Sequence, residues 1–139
     1  MKAKEIMTSD VVSVTSETSI YKALELITAS DLSALPVVEK DMTLIGIISE
    51  HDIIRLMDED EDKDEDEDER TVYDFMTQPV VHFDENESLQ SVCDFLKNNS
   101  FRRVPITSEG KLVGIISIKD VARYIVTRRR NRLWEKLKK

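Results

Sequence analysis

A glycine, two isoleucines, a serine and, three residues on, an aspartate recur as G-I-I-S-x-x-D at 46–52 and again at 114–120. The apolar run before each serine predicts a strand, and the residues after it predict a helix. Ser49 and Ser117 therefore stand at N-cap positions, with Asp52 and Asp120 at N3. That spacing is a capping box, in which hydroxyl and carboxylate each satisfy an orphan backbone N–H. The same geometry also suits a ligand. A helix N-terminus offers unpaired N–H groups and a partial positive charge, which together favour an anion. A serine hydroxyl there can reach a phosphate, and a carboxylate one turn in can accept both hydroxyls of a ribose diol. Spacing alone does not choose between cap and ligand site, because S-x-x-D is a common helix start.

Other chemistry has little to work with. His51 and His82 are the only histidines, and neither has the spacing of a metalloprotease helix. No G-x-S-x-G nucleophile motif occurs. Three glycines, at 46, 110 and 114, exclude a dinucleotide-binding G-x-G-x-x-G, and the one Gly-Lys pair is followed by Leu, which excludes a P-loop. The single cysteine, Cys93, excludes an internal disulfide and a cysteine-rich zinc site. It occupies the position equivalent to Leu24 on an apolar helix face, so a small buried hydrophobe is expected there and not a nucleophile. No catalytic residue and no metal ligand is assigned, and the chain is expected not to be an enzyme. No apolar run approaches the roughly 20 residues of a membrane span, and the N-terminus lacks a secretory h-region. A soluble cytoplasmic protein without membrane contact is the expectation.

The elements that position the two motifs are themselves repeated. Residues 7–38 overlay 76–107 at an offset of 69. Met7-Thr8 meets Met76-Thr77, Val11-Val12 meets Val80-Val81, Ser19 meets Ser88 and Pro36 meets Pro105. With one residue dropped in the next turn, Leu44-x-Gly46-Ile47-Ile48-Ser49 meets Leu112-x-Gly114-Ile115-Ile116-Ser117, Asp52 meets Asp120 and Arg55 meets Arg123. An internal duplication explains this. Each repeat predicts a short strand (Val11–Val14, Val80–Phe83), then a helix capped by Ser19 or Ser88. The helix faces are Ile20, Ala23, Leu24, Ile27 and Leu89, Val92, Cys93, Leu96. A hairpin follows, 35–38 with 44–49 and 104–106 with 112–117. The glycine inside each second strand marks a close approach by other backbone. The second helices carry Ile53, Ile54, Leu56, Met57 and Val121, Ala122, Ile125, Val126. The order β-α-β-β-α, twice, makes the fold class α+β. In 139 residues neither half buries enough surface alone, so one pseudo-twofold module of two repeats is expected.

The charge is unevenly spread. The chain carries −8 overall, but 58–69 holds eleven acids and one lysine, net −10, while 128–139 holds seven bases and one acid, net +6. Like charges at that density bury nothing, so the acidic run predicts a disordered linker. It lacks the central glycine of a calcium loop. The organisation is therefore repeat 1 over 1–57, acidic linker over 58–70, repeat 2 over 71–127 and a basic helical tail over 128–139. One aromatic, Trp134, is thin for a nucleic-acid stacking platform, so nucleic acid is not the expected partner.

With its MT-x-x-VV, x-P and GIIS-x-x-D segments duplicated in order, the chain resembles a tandem pair of cystathionine-β-synthase (CBS) domains, a Bateman module, over 4–57 and 73–126. The resemblance implies two intertwined β-α-β-β-α units. It implies a regulatory or sensor role, with clefts for an adenosine-containing ligand such as AMP, ADP, ATP or S-adenosylmethionine, and no required cofactor. By the same resemblance Asp52 and Asp120 hold the ribose. Ser49 and Ser117 meet phosphate, where many members have threonine. Ile47 and Ile115 line the same sites. The adenine positions match Thr8, Val12, Leu32, Ser33 and Ala34 in repeat 1 and Thr77, Val81, Phe101 and Arg102 in repeat 2. Arg102 and Arg103 fit the family's basic residue before x-P, whereas Ser33 and Ala34 do not. Repeat 2 also has Lys119 where repeat 1 has His51, so unequal clefts are expected. A homodimer through apolar helix faces and a separate regulated protein are implied as partners. The alternatives are a ligand-free dimeric scaffold and a nucleic-acid binder acting through the tail.

Overall fold

The computed structural model describes residues 1–30, 32–59 and 70–138. Residues 60–69, most of the acidic run, lie outside the described residues, and so does the linker expected there. Among the described residues the fold is α+β. Strand β1 (Val14–Thr15), helix α1 (Ile20–Ala29), strands β2 (Ala34–Val38) and β3 (Leu44–Ser49) and helix α2 (Glu50–Glu59) come from the first repeat. The second supplies β4 (Phe83–Asp84), α3 (Leu89–Asn98), β5 (Arg103–Ser108), β6 (Lys111–Ser117) and α4 (Ile118–Leu137). The sheets run β1-β2-β3 and β4-β5-β6. β1 is parallel to β2, β4 is parallel to β5, and β2 is antiparallel to β3.

Local sequence accounts for most of this. Ser19 accepts the Tyr21 N–H at 3.2 Å and Ser88 accepts the Ser91 N–H at 3.1 Å, so both expected caps form. Ile20, Ala23 and Ile27 of α1 and Leu89, Val92 and Leu96 of α3 are buried, with Leu24 and Cys93 half-buried beside them. β2 lies between β1 and β3, and all five of its residues are buried. Its proline is tolerated for a specific reason. Ile47, opposite Pro36, spends its own N–H and C=O on Thr77, on the far side of β3, so it needs no donor from Pro36. β1 meets β2 only at Val37 and Val38, so the missing N–H faces no strand there either.

The first strand of each repeat departs from expectation. The strands form at Val14–Thr15 and Phe83–Asp84, not over Val11–Val14 and Val80–Phe83. β-Branched residues favour a strand only where a partner strand runs beside them. β2 and β5 offer a parallel partner for two residues each, and Val12 and Val81 are left about half exposed.

Two compact units form, and each takes the opening segment of the other repeat. One contains 1–11, 81–109 and 113–139; the other contains 12–80 and 110–112. The intertwining implied by the resemblance is this exchange. In the first unit the Ala3, Lys4 and Leu89 N–H groups donate to Glu87, Glu85 and Met1 carbonyls at 2.9, 3.0 and 2.8 Å. In the second the Val72, Tyr73 and Ile20 N–H groups donate to Thr18, Ser16 and Arg70 carbonyls at 2.9, 3.0 and 3.2 Å. These are the same three bonds displaced by the repeat, so the duplication reaches back to the first residues of the chain. The borrowed side chains enter the cores. Val72, Phe75 and Met76 pack with Ile20, Leu35 and Ile48, while Ala3 packs with Val92, Ile106 and Ile116. Burying a Phe75-sized side chain contributes about 1.5–3 kcal/mol.

Candidate functional site

Both G-I-I-S-x-x-D motifs fold as strand end and helix start. Ser49 donates its N–H and its hydroxyl to Asp52 Oδ2 at 2.9 and 3.0 Å, and its oxygen accepts the Asp52 N–H at 3.4 Å. Ser117 and Asp120 repeat this at 2.8, 3.0 and 3.2 Å. The capping boxes are therefore real. The preceding loop ties down the first helical N–H: Glu50 donates to the Ser33 carbonyl at 3.0 Å and Ile118 to the Arg102 carbonyl at 2.9 Å.

The second carboxylate oxygen carries the less obvious geometry. Asp52 Oδ1 accepts the Thr77 hydroxyl at 2.8 Å, and Asp120 Oδ1 accepts the Thr8 hydroxyl at 3.1 Å. Each threonine is fixed by a two-way backbone pair. Thr77 exchanges bonds with Ile47 at 2.8 and 3.1 Å, and Thr8 exchanges bonds with Ile115 at 2.9 Å in both directions. The motif glycines permit this approach. A Cβ on Gly46 would stand 2.9 Å from the Thr77 carbonyl oxygen, and one on Gly114 would stand 3.1 Å from that of Thr8. So the Met-Thr pair that opens one repeat completes the Ser-Asp site of the other.

This corrects the grouping by repeat. Thr77 belongs with Val12, Leu32, Ser33, Ala34, Ile47, Ser49, His51 and Asp52 in one unit. Thr8 belongs with Val81, Phe101, Arg102, Arg103, Ile115, Ser117, Lys119 and Asp120 in the other. Ala34 is buried, whereas Leu32 and Ser33 are half-buried. Phe101 is half-exposed and stacks on Phe95 with centroids 5.6 Å apart. Arg102, Lys119 and His51 are exposed, and the Arg103 Nε–H is shielded from water with no acceptor.

Two arginines escaped the site assignment although the repeats align them. Arg123 Nη1 donates to Asp120 Oδ1 at 3.1 Å, whereas Arg55 stands 4.0 Å from Asp52 Oδ1 and donates instead to the Phe75 carbonyl at 2.6 Å. The difference matters for a ligand. A carboxylate has about four lone-pair sites. The Asp120 donors are two from Ser117, one from Thr8 and one from Arg123, which fill them. Asp52 accepts two from Ser49 and one from Thr77, so one site stays open. The Asp120 carboxylate is thus more fully engaged by its own fold than that of Asp52.

The residues outside these clusters suit structural roles. Burial pushes the Cys93 thiol up from its ordinary value, with Asp94 adding to the effect, so thiolate is scarce. His82 Nδ1 lies 3.0 Å from the buried Thr107 hydroxyl. Among the described residues no three His, Cys, Asp or Glu side chains gather as a metal site. No described helix is long and apolar enough to cross a membrane.

A family model of the CBS domain matches residues 3–59 and 72–127. The uncharacterized protein MJ1225 of Methanocaldococcus jannaschii is 32% identical over 118 residues, 84% of this chain, which spans 40% of that protein's length. Among solved structures, CBSX2 of Arabidopsis thaliana in complex with AMP superposes with a TM-score of 0.80 at 27% identity, over 92% of this chain and 98% of that one. The CBS domain pair of MJ0100, in complex with 5′-methylthioadenosine and S-adenosyl-L-methionine, shares the fold with a TM-score of 0.73 at 22% identity, over 92% and 98% of the two chains.

Proposed function

The chain belongs to the CBS domain family, and from that premise we propose that it is a cytoplasmic, non-catalytic regulatory module whose two Ser-Asp-Thr sites bind an adenosine-containing ligand. AMP, ADP, ATP and S-adenosylmethionine are the candidates. The observation that carries the proposal is the twinned site: Ser49, Asp52 and Thr77 in one unit, Ser117, Asp120 and Thr8 in the other, with matching hydrogen bonds. A helix cap needs only serine and aspartate. The third member, brought from the other repeat and exposed beside the helix entrance, is what a cap does not require. The AMP complex of CBSX2 supports the ligand class. Ligand occupancy would be read by a separate regulated protein.

The experiment is a panel of thermal melts with each candidate at saturating concentration. Ligand at 100 times its dissociation constant adds about 2.7 kcal/mol, or a shift of order 5–10 °C for a chain of this size. Flat melts across the panel favour the ligand-free scaffold instead.

The assembly proposed is a homodimer through the second helices. Ile54 and Met57 on α2 are 61% and 77% exposed, and Ile125 and Val126 on α4 are about half exposed. Paired apolar faces of this kind bury well against a second copy. Light scattering is expected to give a dimer at micromolar concentration, and a monomer for the double variant Ile54→Glu/Ile125→Glu with its melt retained. A wild-type monomer at high micromolar concentration contradicts the dimer.

A further inference from the structure

Helix α4 continues well past its own fold. Asp120, Val121 and Tyr124 face into the unit, but from Ile125 to Leu137 every residue is exposed. The outer part, residues 128–137, extends about 15 Å at 1.5 Å per residue. It carries three large apolar side chains, Leu133, Trp134 and Leu137, which are 50%, 59% and 79% exposed. Their spacing of i, i+1 and i+4 places them within an arc of about 100°. Arg130 falls within that arc one turn earlier, and Arg128, Arg129, Arg132, Lys136 and Lys138 stand around it, against one acid, Glu135. A basic residue in the last turn suits the helix dipole, but that accounts for Lys136 and not for the arginines two turns earlier.

The occupant of this face must supply negative charge and an apolar interior together. A second copy of residues 128–138 brings +5 against +5. The acidic run at 58–69 has complementary charge but no apolar residue, so it leaves Leu133, Trp134 and Leu137 in water. Nucleic acid offers phosphates, yet one aromatic is too few to stack a strand of bases. An anionic lipid surface supplies both. We propose that residues 128–138 are an interfacial helix that docks the protein on anionic membranes, with Leu133, Trp134 and Leu137 in the headgroup boundary. The long Arg and Lys stems lie along the apolar stripe and reach the lipid phosphates with their charged heads. The ammonium of Lys138 already lies 5.4 Å from the centre of the Trp134 ring. Tryptophan combines an apolar body with an N–H that prefers a wet boundary, which suits that depth.

Trp134 is the only tryptophan in the chain, so its fluorescence reports on this segment alone. The full chain is titrated with vesicles of phosphatidylserine in phosphatidylcholine, and flotation is followed in parallel. A blue shift and co-flotation are expected. Partitioning should fall at least roughly tenfold on pure phosphatidylcholine, and again in the triple variant Arg128→Gln/Arg129→Gln/Arg130→Gln. The double variant Leu133→Ser/Leu137→Ser keeps every charge and should lose the blue shift. Unchanged melts show that these exposed substitutions leave the fold intact. The proposal is overturned if anionic vesicles fail to float the protein. Flotation with no blue shift overturns it too, as does a Trp134 response to RNA or DNA with none to vesicles.

Discussion

Gly46→Ala lowers stability by about 2 kcal/mol, whereas Gly114→Ala costs less than about 1 kcal/mol. In an ordinary strand the same change would stabilise, because glycine gives up about 0.5–1 kcal/mol of backbone entropy relative to alanine. Here the added methyl meets other atoms. At Gly46 it stands 2.9 Å from the Thr77 carbonyl oxygen and 3.0 Å from Met76 Sδ. The carbonyl is held by its bond to Ile47, and Met76 is buried in the core, so neither yields easily. At Gly114 the closest atoms are Met7 Sδ and Cγ, in a half-buried flexible side chain, and the Thr8 carbonyl is farther off at 3.1 Å. A thioether can turn away where a backbone oxygen cannot. Paired melts test this, with a drop of order 5–10 °C expected for Gly46→Ala only. Because Thr77 must move, Gly46→Ala should also loosen its hydroxyl from Asp52. A neutral or stabilising Gly46→Ala would show that the opening segment does not press on β3.

Most of the local architecture was legible in the sequence because its signals are local. The runs at 35–38 and 44–49 became β2 and β3, and Ser19, Ser88, Ser49 and Ser117 all cap helices. The missed features depend on partners distant in the chain. Val11 and Val12 carry strand propensity, but β2 offers them no neighbour. Thr8 lies among polar residues, and nothing near it indicates that it bonds Asp120, 112 residues away. The repeat alignment did contain a usable hint. Arg55 and Arg123 fall at equivalent positions three residues after each aspartate, on the same helix face. What alignment could not supply is that one arginine engages its carboxylate while the other turns to the Phe75 carbonyl.

That asymmetry sharpens the expected inequality of the two sites, and Asp120→Ala against Asp52→Ala, titrated by calorimetry, is the comparison that tests it. If the motif serines meet phosphate, as proposed, the unit holding Ser117 is better supplied. It has Arg102 next to the first turn of α4 and Lys119 in that turn. The unit holding Ser49 has Ser33, Ala34 and His51 at those positions. Arginine meets phosphate with two parallel hydrogen bonds, and bonds to charged groups contribute about 1.5–3 kcal/mol each. If the motif aspartates hold the ribose, as proposed, the balance there is opposite, because Asp120 already accepts four donors and Asp52 three. With AMP or ATP, Asp120→Ala should therefore remove the tighter binding event, weakening it at least roughly tenfold, while Asp52→Ala spares it. With adenosine, which has no phosphate, the gap should narrow or reverse. Each alanine also removes the N3 half of a capping box, so Asp120→Asn and Asp52→Asn accompany them to keep an acceptor for the serine N–H. Melts of the ligand-free variants separate lost folding from lost binding. If Asp52→Ala is the damaging change for AMP, the carboxylate vacancy outweighs the arginines and the order of the sites is reversed. If neither change touches binding, both S-x-x-D motifs are helix caps alone, and Thr8 and Thr77 serve only to fasten one repeat to the other.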